Sequence, residues 1–184
     1  NKCNLPDIET FAAKSELFQD PFMGQCDEYL ERLGEIPHAD YAKKITRAGK
    51  KAGEFAYIFQ CEADLCKVLE IKSRLGINIR QAYAEKDKAK LAEIATDMKK
   101  LNVRIKKFYS SLKTLWFKEN KPFGFEIQDA RIGGLMLRID SCRERIEQYI
   151  NTDEPLEELD EVLLKVDRAL FYNSYRNVVS TSNI

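Results

Sequence analysis

The chain has 184 residues and 44% apolar content, enough for one ordinary domain with its own core. Its 30 Lys plus Arg balance 30 Asp plus Glu, so no global field exists to draw in nucleic acid or an anionic membrane. Eight Gly and five Pro, beside abundant Lys, Glu, Leu, Ala and Ile, point away from a turn-rich sheet protein and predict an all-α fold.

In chain order, Phe18-Gln19-Asp20-Pro21-Phe22-Met23-Gly24 reads as an apolar turn of the Asp-Pro kind. Pro37-His38-Ala39-Asp40 starts a shorter helix that reaches Lys51, with Gly53 at the junction to the next. Ile58, Cys61, Leu65, Val68, Leu75, Ile79 and Ala82 share one helical rhythm, interrupted by Lys72, and predict a long helix. Asp87 to Asn120 carries the cleanest period, with Leu91, Ile94, Met98, Leu101, Ile105, Phe108, Leu112 and Leu115 in steps of three and four. Phe125, Gln128, Ile132, Leu135, Ile139, Cys142, Ile146 and Tyr149 repeat that spacing, with Gly133 and Gly134 alongside.

The short connectors Glu85 to Lys88 and Lys121 to Gly124 favour folding back over an extended coiled coil. The expected architecture is an antiparallel bundle of three to four long helices with short flanking helices. After Pro155 comes an acidic short helix, Leu156 to Val166, and then a tail, Phe171 to Val179, too aromatic for a disordered linker and expected to dock on the bundle or a neighbour. The single domain 1–184 thus divides into an opening segment with a short helix over 1–36, a long-helix bundle over 37–151, and a short helix with a docking tail over 152–184.

Catalysis needs convergent groups with matched proton affinities, and the sequence offers few. His38 beside Asp40 sits at a helix start and reads as a surface or capping histidine. The pairs Asp27-Glu28, Asp153-Glu154 and Asp160-Glu161 read as solvated faces. Cys61 and Cys66 lie on different faces of a helix and read as core or boundary thiols, and with one histidine in the chain no zinc set forms. Reduced thiols fit a cytoplasmic protein, and neither metal nor cofactor is expected. The lysine-rich face from Lys99 to Lys113 reads as solvated helix surface, which leaves nucleic acid out as a partner. No run approaches the roughly 18 to 20 apolar residues of a membrane span.

The corner Trp116-Phe117-Lys118-Glu119-Asn120-Lys121-Pro122-Phe123-Gly124-Phe125-Glu126-Ile127-Gln128-Asp129-Ala130-Arg131-Ile132-Gly133-Gly134-Leu135 joins the two best helical stripes. It resembles the carboxy-terminal helical domain of a bacterial subgroup of glycoside hydrolase family 20, the exo-β-N-acetylhexosaminidases. Leu17 to Gly24 is similar to the segment that leads into this domain, although Phe18 and Gln19 stand where Tyr and Asn are usual, and Tyr172 to Val179 is similar to the family's end. The likeness spans nearly the whole chain, with the helices between these motifs matching in pattern alone.

The resemblance implies a division of labour. The family's catalytic module is a separate (β/α)₈ barrel carrying a His-x-Gly-x-Asp-Glu type motif, and it removes terminal N-acetylhexosamine by attack of the sugar's own acetamido oxygen. Here His38 is followed by Ala39-Asp40-Tyr41, so no catalytic residue carries over. The chain alone is expected to be inactive, its partner being the barrel of the same polypeptide, with oligomer contacts as a further role. The docking surface is expected at Phe18, Asp20, Pro21, Phe22, Trp116, Asn120, Pro122, Phe123, Phe125 and Arg131, the last pairing with Asp129 or Glu119. The competing reading is a free-standing helical interaction module whose heptads grip a partner helix.

Overall fold

Each apolar stripe becomes a helix because its burying face finds another. In the computed structural model, residues 13–24 and 26–161 are described. A π-helical turn, Ala13–Phe18, leads into α1 (Asp27–Leu33), α2 (His38–Gly49), a 3₁₀ turn at Gly53–Phe55, α3 (Ala56–Lys72), α4 (Leu75–Ala84), α5 (Lys88–Glu119), α6 (Phe125–Thr152) and α7 (Glu157–Asp160). Among the described residues there is no strand, and the fold is all-α.

The axis is α5, whose 32 residues span about 48 Å at the α-helical rise. Asp87 caps it by accepting from the Lys90 amide at 2.9 Å, and Asn120 ends it in extended backbone two residues before Pro122. Leu91, Met98 and Leu101 are fully enclosed, with Ile94, Ile105 and Phe108 nearly so. Burying such a side chain contributes roughly 1.5 to 3 kcal/mol, so this stripe carries much of the drive to fold.

α6 returns antiparallel. Cross-links fix the register: Tyr109 Oη donates to Asp129 at 2.6 Å, Asn102 Nδ2 donates to the Met136 carbonyl at 3.1 Å, and Lys88 Nζ donates to the Ile150 carbonyl at 3.0 Å. On the other flank Arg104 Nη1 reaches the Lys67 carbonyl at 2.6 Å and Glu70 at 2.8 Å, while Tyr57 near the start of α3 bonds Glu119 at the end of α5, so α3 also runs antiparallel to α5. α2 folds onto α3 as a hairpin close enough that a Cβ built on Gly49 would stand 2.8 Å from Phe59 Cβ. The last described element seats Leu156 and Leu159 in the core, while Tyr83 Oη accepts from the Leu156 amide at 3.1 Å and donates to Asp160 at 3.1 Å.

Four expectations need correction. The long helix expected along Ile58 to Ala82 is broken at Ser73 and Arg74 into α3 and α4. The break lets α4 turn beneath the opening segment: Gly76 comes so close to Pro21 that an added Cβ would lie 3.1 Å from its carbonyl oxygen. His38 is buried, not a surface residue, because the Ala13–Phe18 turn folds over it and sets Glu16 Oε2 3.0 Å from its Nε2. Asp27 is likewise buried, bonded to Gln19 Nε2 at 2.5 Å and Arg80 Nε at 3.2 Å, whereas Asp153, Glu154, Asp160 and Glu161 are solvated as expected. The helix expected over Leu156 to Val166 is instead the single turn Glu157–Asp160, ended by Glu161 in extended backbone, and the Phe171 to Val179 tail lies outside the described residues.

Candidate docking surface

Two places gather the residues singled out in the sequence. The first is the opening segment. Asp20 accepts from the amides of Phe22 at 2.8 Å and Met23 at 3.2 Å, which closes the Asp-Pro turn locally. Its carboxylate also takes Arg138 Nε at 2.6 Å, and Arg138 and Arg145 stand 5.6 and 6.0 Å from the ring of Phe22. Phe22 is wholly enclosed and Phe18, Asp20 and Pro21 are buried. These side chains are committed to the domain's own core, and none presents an apolar surface to a neighbour.

Lys72 lies at the centre of this region, with Nζ 2.7 Å from the Gln19 carbonyl. Burial lowers its amine from 10.5 to about 8, against the opposing pull of Asp20 and Asp27. The nearby thiols move the other way: burial raises Cys26 to about 11 and Cys142 to about 12. A raised thiol is a poor nucleophile, so these cysteines act as small core residues. Sequence reading missed the buried Lys72 and Asp64 and the half-buried Arg80. For Asp64, the i−4 Gln60 and i+3 Lys67 that bond it at 2.7 and 2.9 Å were a visible signal. For Lys72 the only signal was its interruption of an apolar stripe.

The second place is the Pro122 corner. Gly124 takes φ +92°, a conformation strained for a side chain, and its amide donates to Glu126 Oε2 at 2.8 Å. Trp116 Nε1 donates to the Lys121 carbonyl at 3.0 Å, and Phe125 is buried beneath Trp116, Phe117 and Tyr109 with ring centroids 5.7, 5.2 and 5.9 Å away. This rigid scaffold holds Phe123 out with 82% of its surface exposed, beside exposed Asn120 and Pro122. Trp116 and Arg131 are half-buried. Asp129 is engaged by Tyr109 and Glu119 by Tyr57, so both carboxylates proposed for Arg131 have another partner at hand.

Among the described residues no group of three or more His, Cys, Asp or Glu could hold a metal ion, and no helix is long and apolar enough to cross a membrane. The lysine face of α5 is solvated and largely paired, Lys99 with Glu147 at 2.9 Å and Lys100 with Asp97 at 2.9 Å.

The fold and these two places define a helical module with an internally clamped opening segment and an outward aromatic corner. The family model described as the Glycoside Hydrolase 20C C-terminal domain matches residues 7–177, and the chain belongs to that family. It is a C-terminal domain of a hexosaminidase-type glycoside hydrolase, which implies a catalytic domain in the same polypeptide. No curated protein matches the chain.

Proposed function

We propose that this chain is the non-catalytic helical domain of a bacterial β-N-acetylhexosaminidase, packed against the catalytic barrel that removes terminal N-acetylhexosamine. The observation that carries the reading is Phe123, the most exposed aromatic ring of a corner whose other rings, Tyr109, Trp116 and Phe117, pack on Phe125. Exposed rings on rigid supports are docking elements, since little conformational entropy is lost when they are covered. Docking positions the barrel, and all the hydrolytic chemistry belongs to the barrel's own residues. Buried free thiols at Cys26, Cys61 and Cys142 support a reducing, cytoplasmic setting.

Small-angle scattering from the full polypeptide tests the packing. One compact particle is the expected result, and a two-body profile with a flexible waist would overturn it.

A further inference from the structure

Four helices each send one basic side chain to the opening segment. His38 Nε2 of α2 stands 3.0 Å from Glu16, and Lys72 of α3 donates to the Gln19 carbonyl at 2.7 Å. Arg80 of α4 donates to the Phe22 carbonyl at 2.7 Å and to Asp27 at 3.2 Å, and Arg138 of α6 donates to Asp20 at 2.6 Å. Glu16, Asp20, Asp27, His38 and Lys72 are buried, and Arg80 and Arg138 are half-buried. While His38 is neutral, the charges of Lys72, Arg80 and Arg138 match those of Glu16, Asp20 and Asp27 one for one. Acid unbalances the set in one direction, since every proton it adds either neutralises a carboxylate or charges the imidazole. Each such proton leaves one more positive charge shielded from water without a counter-charge, which is strongly unfavourable. The other titratable groups nearby supply no replacement anion. Tyr41 beside His38, the Cys66 thiol near Glu16, and the Cys26 and Cys142 thiols near Lys72 are uncharged in acid, and Glu158 of α7, whose charge reaches Arg138, is taken by Arg145.

The helical core is insulated from this effect. The buried stripe of α5 is apolar over most of its length, so acid adds no charge there. Asp64, a buried carboxylate of α3, is bonded by Gln60 and Lys67 of its own helix, and Lys107, 3.8 Å away on α5, is solvated without it. Neutralising Asp64 therefore parts no two helices. We infer that the opening segment is an acid-released strap, which lifts from the bundle at low pH and uncovers Cys26 and Cys142 while α3, α5 and α6 stay packed. Cys26 belongs to the segment, its amide donating to Gln19 Oε1 at 2.8 Å, and Cys142 is wholly enclosed on α6 one turn beyond Arg138. Local opening of this kind needs fewer contacts to break than unfolding of the core. In a C-terminal domain the catalytic domain precedes this segment in sequence, so the released residues lengthen the free tether between the two. The inference concerns contacts within the helical domain and stands apart from the docking reading.

Thiol labelling of the full polypeptide with a pyridyl disulfide, a reagent that works in acid, tests the strap between pH 7 and pH 4. Peptide mass spectrometry locates the label, and each rate is divided by that of the urea-unfolded chain at the same pH. Cys26 and Cys142 are expected to label about ten-fold faster or more at pH 4 than at pH 7, while hydrogen exchange across Leu91 to Ile105 stays slow. Asp20→Asn, with one anion fewer, is expected to move the labelling step to higher pH, and Lys72→Met, with one cation fewer, to lower pH. Glu16→Gln replaces Asp20→Asn should that variant fail to fold, with the same upward shift. Corrected rates that are equal at the two pH values would overturn the inference, as would loss of protection in Leu91 to Ile105 together with the labelling, which is acid unfolding of the whole domain. Shifts of the same sign in the anion and cation variants would also overturn it, because lost packing rather than charge balance would then set the step.

Discussion

Asp20 and Arg138 stand 118 residues apart in sequence and 2.6 Å apart in space. That contact fastens the segment arriving from the amino-terminal side to the longest antiparallel pair of the bundle. Asp20 also caps its own turn, so one carboxylate holds both the local bend and its long-range anchor. Replacing Asp20 with Ala is expected to cost about 3 to 5 kcal/mol, because Lys72 and Arg138 lose their shared anion while still shielded from water. Asp20→Asn, which retains an acceptor for the turn amides, is expected to cost less. Urea unfolding of the two variants measures the difference.

The buried amine and thiols predict an alkaline stability maximum. Lys72 sheds its proton near pH 8 in the folded protein but near 10.5 in the unfolded chain, so above pH 8 the unfolded state binds more protons and stability rises with pH. The thiols of Cys26, Cys61 and Cys142 are raised from 9.0 to about 11, 11 and 12, so above pH 9 the unfolded chain ionises first and stability falls. Three falling contributions outweigh one rising one, which places the maximum near the crossover. Denaturant midpoints across this range, under reducing conditions, check the shape, and Lys72→Met should erase the rising limb.

Two glycines in helices separate packing from propensity. Gly49→Ala is expected to destabilise by about 1 to 3 kcal/mol, because the new methyl carbon would lie 2.8 Å from Phe59 Cβ at the tight α2–α3 crossing. Gly133→Ala is expected to stabilise the domain's own fold by up to about 1 kcal/mol, since nothing opposes the methyl and alanine favours the helix. Thermal unfolding of the pair gives shifts of opposite sign.

At the corner, Phe125→Ala is expected to cost about 3 to 5 kcal/mol by emptying the space beneath Trp116 and Phe117. Phe123→Ser is expected to stay within about 0.5 kcal/mol, because that ring is solvated in the described domain. The contrast, read in denaturant midpoints, distinguishes the ring that builds the corner from the ring the corner displays.

Most of the helical framework was legible because α5 and α6 bury one narrow stripe each, and a strict three-four rhythm admits a single interpretation. Asn120, Pro122 and Gly124 marked the turn between them through backbone chemistry that needs no tertiary context. The α3–α4 break was not legible, since its cause is the opening segment lying against Lys72 and Gly76, a contact made across more than 50 residues. The same long-range packing buried His38, Asp27 and Phe22, each of which looks like a surface residue until the segment folds over it. At the candidate site, sequence spacing found the aromatic corner but not that Phe123 is its most exposed ring while Phe125 is buried. That depends on the left-handed Gly124 turning Phe123 outward and Phe125 inward.

The central claim is that this helical domain docks but does no chemistry. Its most direct test is hydrolysis of an aryl N-acetyl-β-glucosaminide by the purified 184-residue chain, with helical circular dichroism confirming that it is folded, beside the full polypeptide under the same conditions. The account predicts turnover by the full polypeptide and none above buffer by the folded chain. Turnover by the chain alone would contradict it.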